Sequence, residues 1–194
     1  MVLQECKLIE IQVQTIEALL HETIDLYNIV RQVLRHICKC HDKKSRYMLS
    51  KSNFIQVIKN TPLISIDLII ENEEGKILLG KRVNEPAKNE WFVPGGRVFK
   101  DESLDTAFTR TTTSEIGITL KRDEVKFYGL YEHFYKNNVF NDNFSTHYIV
   151  LTHKFKVNEK DVKLNNQHEE YQWFTINKIL KNSNVNKYTK DYFL

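Results

Sequence analysis

Apolar residues recur at steps of three and four along the first forty positions: Ile9, Val13, Ile16, Leu20, Ile24, Tyr27, Val30, Leu34 and Ile37. That spacing places them on one face and predicts an amphipathic helix from about Leu8 to Cys40, about 50 Å long at ~1.5 Å per residue. A stripe of that length needs cover, from the following domain, a second copy of the chain or a partner. The polar run from His41 to Arg46 reads as a linker. Lys51 to Lys59 reads as a short amphipathic helix, with Ser50 or Ser52 as its cap.

From Pro62 the pattern changes. No glycine or proline precedes that residue, and all six glycines lie between Gly75 and Gly129. Leu63 to Glu71 and Lys76 to Arg82 are predicted strands around the turn ending at Gly75. Trp91 to Val93 is a short strand running into Pro94-Gly95-Gly96. Ser103 to Ile116 has helical spacing, stopped by Gly117. Lys126 to Tyr135 and Phe144 to Val157 are aromatic and β-branched strands around an Asn-rich turn. Asn158 to His168 reads as a polar loop, Tyr171 to Phe174 as a strand, and Thr175 as the cap of a last short helix. An apolar-tipped segment, Tyr188 to Leu194, follows. This order predicts an α/β sandwich with a mixed sheet over residues 49–194, preceded by a helical extension and linker over residues 1–48.

Composition narrows the function classes. The chain has 194 residues, 41% hydrophobic and 27% charged, enough for one domain with a core and an appendage. The net charge of +3 is small and of mixed sign, which points away from nucleic acid as a partner. No apolar run is long enough to span a membrane, and the N-terminus lacks the pattern of a secretory signal. Cys6, Cys38 and Cys40 are an odd number gathered at one end, which predicts a reducing, cytoplasmic setting rather than a disulfide framework. The cluster His36, Cys38, Cys40 and His41 invites a zinc reading, but a second ligand pair is missing, and a packing role is preferred.

The chemistry concentrates between Gly95 and Ile118. Gly96, five residues, Glu102, seven residues, Arg110, then Glu115, Gly117 and Ile118 resemble the Nudix box. The box also carries glutamates at the positions of Thr111 and Ser114. Positions 111, 114 and 115 share one helix face. Three carboxylates there would gather several Mg²⁺ ions for attack at phosphorus, whereas Glu115 alone suits one. Either the chemistry has been lost, or the attack falls elsewhere.

Residues from about Thr61 to Leu194 further resemble the GDP-mannose mannosyl hydrolases, a divergent Nudix family. The resemblance rests on Thr61-Pro-Leu63, Leu79-Gly-Lys-Arg82, Trp91-Phe-Val-Pro-Gly-Gly-Arg-Val98, Lys100-Asp-Glu102, Phe127-Tyr-Gly129, His133-Phe-Tyr135, Thr146-His-Tyr148 and Gln167-His168. Members share the loss of the two box glutamates. The resemblance implies a Nudix-type α/β/α sandwich and a Mg²⁺-dependent hydrolysis of a GDP-hexose to GDP and free sugar. Water would attack the anomeric carbon with inversion. His168 would be the general base, beside Gln167. Glu115 and the Gly95 carbonyl would hold Mg²⁺. Arg82, Arg97 and Arg110 would stabilise the departing GDP, Tyr148 would bond a phosphate oxygen, and Asp67 and His133 would hold the sugar. A homodimer is expected from the resemblance and the apolar stripe. Residues 1–48 have no counterpart in the family.

Each residue also has a plainer reading. Asp67 could be a paired carboxylate buried in an apolar strand. Glu102 is preferred as a structural partner of Arg110 that steadies the loop before the helix. His168 would ordinarily be a solvated loop histidine, and Tyr148 and His133 ordinary strand residues. His147 is taken as structural. Two other functions stay open: a Nudix pyrophosphohydrolase cleaving between phosphates, and a non-catalytic module that binds a nucleotide sugar.

Overall fold

A computed structural model describes residues 49–140, 143–164 and 168–194. The predicted helix over residues 8–40, the Cys38–Cys40 cluster and Gln167 lie outside the described residues. Leu49 closes the first of two compact units, and the second, Ser50–Leu194, is the α/β domain.

Its first helix, α1 (Lys51–Asn60), starts where Ser50 Oγ accepts the Asn53 N–H at 3.2 Å. Seven strands follow: β1 (Leu63–Glu71), β2 (Ile77–Arg82), β3 (Trp91–Phe92), β4 (Gly95–Arg97), β5 (Lys126–Tyr135), β6 (Thr146–Lys156) and β7 (His168–Phe174). Helix α2 (Leu104–Ile116) lies between β4 and β5, and α3 (Ile176–Lys181) and α4 (Lys187–Asp191) close the domain. The strands form one mixed sheet in the order β3-β2-β1-β6-β5. β4 pairs with β1, and β7 with β2.

β1 organises the sheet. Its run of Leu and Ile is buried on both faces, as a central strand requires. It runs parallel to β6 over its full length, from Leu63 beside Tyr148 to Glu71 beside Lys156. On its other edge the pairing divides. Glu71 meets Ile77 of β2, whereas Ser65, Ile66 and Asp67 meet Arg97, Gly96 and Gly95 of β4, antiparallel. Between them the Leu68 N–H donates to the Pro94 carbonyl at 2.9 Å. β2 is thus splayed away from β1 and pairs with β3 and β7 instead. The splay opens a cleft at the end of β2, between it and the first half of β1.

Two apolar layers flank the sheet. On one side Ala107, Phe108 and Ile116 of α2 pack on Ile66, Leu68, Ile70 and Leu78. On the other, Ile179 of α3, Val185 and Tyr192 pack on Ile69, Leu79, Trp91 and Phe174. The result is the expected α/β/α sandwich. Helix α2 begins with Ser103 Oγ accepting the Thr106 N–H at 3.1 Å and ends at Gly117, whose φ of 70° is left-handed. A β-carbon on Gly117 would also lie 2.7 Å from Lys163 Cβ, so glycine is needed there twice over.

Two expectations need correction. The strand expected over Trp91 to Val93 ends at Phe92, and Gly95 to Arg97 form a strand of their own, β4, which the sequence reading did not assign. A side chain on Gly95 would lie 2.6 Å from the Ile66 carbonyl oxygen, and its absence lets β4 close on β1. His168 does not end a loop. It is the first residue of β7, in register with Arg82 across a bulge, because β2 extends the ladder further than the apolar run from Tyr171 indicates.

Candidate active site

The cleft left by the splayed strands has a volume of about 480 Å³. Ser65 and Asp67 of β1 form its floor, and Arg82 at the end of β2 and Gly95, Gly96 and Arg97 of β4 form two walls. His133 and Tyr135 of β5 and Tyr148 of β6 close the third side. His133 and Tyr135 share a strand face, and Tyr148 is directly opposite His133 in the ladder. Asp67, Arg82, Gly95, Arg97, His133 and Tyr148, singled out from sequence, therefore meet in one cleft.

Asp67 lies deep in it. Burial pushes its carboxyl up to about 6, against the Tyr192 hydrogen bond and the charge of Arg82, which both favour the ionised form. Burial drives His133 down to about 4, helped by Lys187, so the ring is neutral at physiological pH. Its plane is fixed by stacking on Tyr188, with centroids 4.3 Å apart and 15° between planes. Burial also raises Tyr148 and Tyr135 above the ordinary phenol value, so both are hydrogen-bonding hydroxyls rather than phenolates.

The cations are held by aromatic faces. The Arg97 guanidinium carbon lies 4.0 Å from the centre of the Phe54 ring of α1, and that of Arg82 5.3 Å from the Phe92 ring. Burial lowers Arg97, and Arg110 adds to the effect. A desolvated arginine in a cleft suits a multiply charged oxyanion such as a diphosphate.

Arg110 and Glu102 sit apart from the cleft lining. Arg110 Nε and Nη2 donate to the two oxygens of Glu102 at 2.7 and 2.8 Å, and Nη2 also to the Arg97 carbonyl at 2.8 Å. The Glu102 carboxylate accepts the Phe99 N–H as well, at 3.0 Å. Burial alone would raise Glu102, but these bonds outweigh it and hold it below the usual value. This is the structural pair that sequence favoured for Glu102. Through the Arg97 carbonyl, Arg110 also braces the strand that presents Arg97.

Box positions 111, 114 and 115 diverge on α2. Thr111 is buried beneath Gly96, and its Oγ1 would lie 3.1 Å from a β-carbon there. Ser114 is exposed. Glu115 is buried, and its charge is felt by the Tyr171 phenol of β7. Among the described residues no group of three or more His, Cys, Asp or Glu side chains gathers. The donors present, one carboxylate on α2 and the main-chain carbonyl of Gly95, are hard oxygens. Donors of that chemistry would suit Mg²⁺, which takes oxygen ligands, and they are too few for a cluster of metals.

Sequence reasoning missed Tyr135, Phe54 and Tyr192. Tyr135 was signalled by its two-residue step from His133 on one strand. Tyr192 was signalled only by the apolar-tipped end of the chain.

The NUDIX domain pattern matches residues 61–193. The low-salt glycan biosynthesis protein Agl8 of Haloferax volcanii is 37% identical over 118 residues, 61% of this chain and 74% of that protein. The MutT protein of Methanosarcina mazei Go1 superposes with a TM-score of 0.56 at 29% identity, over 69% of this chain and 92% of its own. The MutT NUDIX hydrolase of Burkholderia pseudomallei gives 0.55 at 22% identity, over 69% and 96%. This last likeness is one of fold.

Proposed function

The chain belongs to the NUDIX family, and from that premise we propose that it hydrolyses a GDP-hexose, GDP-mannose foremost, to GDP and the free sugar. The observation that carries the reading is the separation of charge in the site. The α2 face that would assemble several metals at phosphorus keeps one carboxylate, Glu115. Meanwhile the cleft collects arginine, tyrosine, a buried carboxylate and a neutral histidine. Such a site suits departure of a stabilised diphosphate more than attack upon it. The name of the Haloferax volcanii relative, which refers to glycan biosynthesis, accords with a substrate that carries a sugar.

In the proposed reaction a water oxygen forms a bond to the anomeric carbon while the bond from that carbon to the β-phosphate oxygen breaks. The electron pair leaves with GDP and the configuration inverts. The water proton passes to His168. What supports His168 as base is its register with Arg82, which puts the first residue of β7 beside a cleft wall. Arg82, Arg97 and the Tyr148 hydroxyl stabilise the charge that grows on the leaving oxygen, with Arg110 bracing Arg97. Asp67 and His133 orient the sugar hydroxyls. Glu115 and the Gly95 carbonyl would hold Mg²⁺, which would supply positive charge against the diphosphate. An ordinary glycosidase needs a carboxylic acid to protonate its leaving group, but a diphosphate so stabilised leaves without one.

Hydrolysis of GDP-mannose in ¹⁸O-labelled water, with mass spectrometry of both products, tests the reading. Label in the hexose alone is expected. GMP and sugar phosphate carrying the label would mean attack at phosphorus, and no turnover would mean a binding module. Either result would overturn the proposal.

A further inference from the structure

A hydroxyl that the proposed reaction does not use joins two groups that it does use. Tyr192, just past α4, is 2% exposed. Its Oη lies 2.7 Å from Asp67 Oδ2 and 3.1 Å from His133 Nε2. A phenol has one proton to give. An ionised carboxylate only accepts, so at neutral pH the Tyr192 hydroxyl donates to Asp67. Its oxygen must then accept from His133. The neutral ring has one N–H, and this contact requires it on Nε2.

The tyrosine is itself held by two neighbours. Its ring meets Tyr131 edge-on, with centroids 4.7 Å apart, and Tyr128 Oη donates to its carbonyl at 2.9 Å. The His133 ring beyond it is pinned by Tyr188.

We propose that Tyr192 is a positioning residue of the cleft, which locks His133 as the Nε2–H tautomer and Asp67 in one rotamer. His133 Nδ1 and Asp67 Oδ1 are left as preset hydrogen-bond acceptors. Two fixed acceptors beside arginines select a ligand that brings hydroxyl donors along with its phosphates, as a hexose does. What is bound rests on the function proposed above, whereas the lock itself does not.

The test therefore has one arm without substrate. Ring ¹⁵N–¹H correlation spectra of the full-length protein at neutral pH, with His133 assigned by loss of its signals in His133→Gln, should show the Nε2–H form in the wild type. In Tyr192→Phe, which keeps the ring and removes the acceptor, the His133 signals should move to averaged tautomer values. The second arm is turnover of GDP-mannose. Tyr192→Phe should lower kcat/KM by about tenfold, mainly through KM, because the lost contacts act on bound substrate and transition state alike. A tyrosine that merely filled space would lower the melting temperature and leave both the tautomer and KM unchanged, and that result would overturn the proposal. So would an Nδ1–H ring in the wild type, a measurement that needs no variant to fold. Absence of turnover in the wild type with the lock intact would refute the proposed function and not the lock.

Discussion

Arg110 and Glu102 form a two-pronged ion pair, with nitrogen–oxygen distances of 2.7 and 2.8 Å, that ties the first half of α2 to the loop ahead of it. The Glu102 side chain is 2% exposed, so its half of the pair is shielded from water, and its loss leaves Arg110 without its buried carboxylate partner.

Glu102→Gln should therefore act on stability, by ~1–3 kcal/mol, the range for hydrogen bonds to charged groups. Turnover per folded molecule should fall only modestly. Glu115→Gln should do the reverse, nearly abolishing Mg²⁺-dependent activity with a smaller change in melting temperature. Parallel melting curves and rates at saturating Mg²⁺ check both, and a larger catalytic loss at Glu102 would reverse the ligand assignment.

Gly95→Ala should be severe for so small a change. The added carbon would lie 2.6 Å from the Ile66 carbonyl oxygen and 2.8 Å from Asp67 Oδ1, so β4 would have to back away from β1. A loss of at least ~2 kcal/mol is expected, the range of an overpacked core position. Arg97 would move with the strand. Denaturant unfolding measures the first effect, and weakened GDP binding by calorimetry the second.

Glu71 offers a pH test away from the cleft. Lys154 and Lys156 hold it at 2.8 and 3.0 Å, and their hydrogen bonds lower its pKa below 4.5. A carboxylate lowered in the fold contributes stability that is present above its unfolded pKa and lost as pH falls through the folded one. Glu71→Gln should cost ~0.5–1 kcal/mol at pH 7, the scale of exposed pairs, since one lysine is largely solvated. Wild type and variant should converge as the pH falls below the ordinary glutamate value and through the lowered value of the folded state. Melting temperatures across that range decide it, and a constant gap would exclude the ion pair as the cause.

His168→Ala should cost ~10²–10⁴-fold in rate, the span of a general base. The wild-type rate should fall at acid pH as the proposed base takes up a proton. A variant that keeps full activity would remove His168 from the mechanism.

The sequence made much of this site readable because its signals are local. The apolar run of β1, the caps at Ser50 and Ser103 and the glycine after Ile116 each depend on a few neighbouring residues, and each is where the pattern puts it. β4 was hidden because two glycines after a proline carry no strand signal, and only the close approach of β1 makes them a strand. The start of β7 was hidden because its partner, the end of β2, lies some ninety positions earlier. Tyr192 was missed for a related reason: its partners are 125 and 59 residues away, and no spacing rule connects them.

The two missing box glutamates are not equally recoverable. Ser114 is exposed, so a glutamate there could extend into solvent, losing only what the serine hydroxyl makes, including its bond to the Thr111 carbonyl at 3.1 Å. Thr111 is 1% exposed and lies against Gly96, with its hydroxyl 3.1 Å from where a β-carbon would stand. A side chain two heavy atoms longer, and charged, would have to enter that closed space, and the glycine strand would have to yield first. Restoring both glutamates is thus an ordered path rather than a pair of independent steps. Strand β4 must loosen before the buried carboxylate fits, and Arg97, next to Gly96 on that strand, would move with it. The exposed position can change first, while the buried threonine waits on its neighbour across the helix–strand contact.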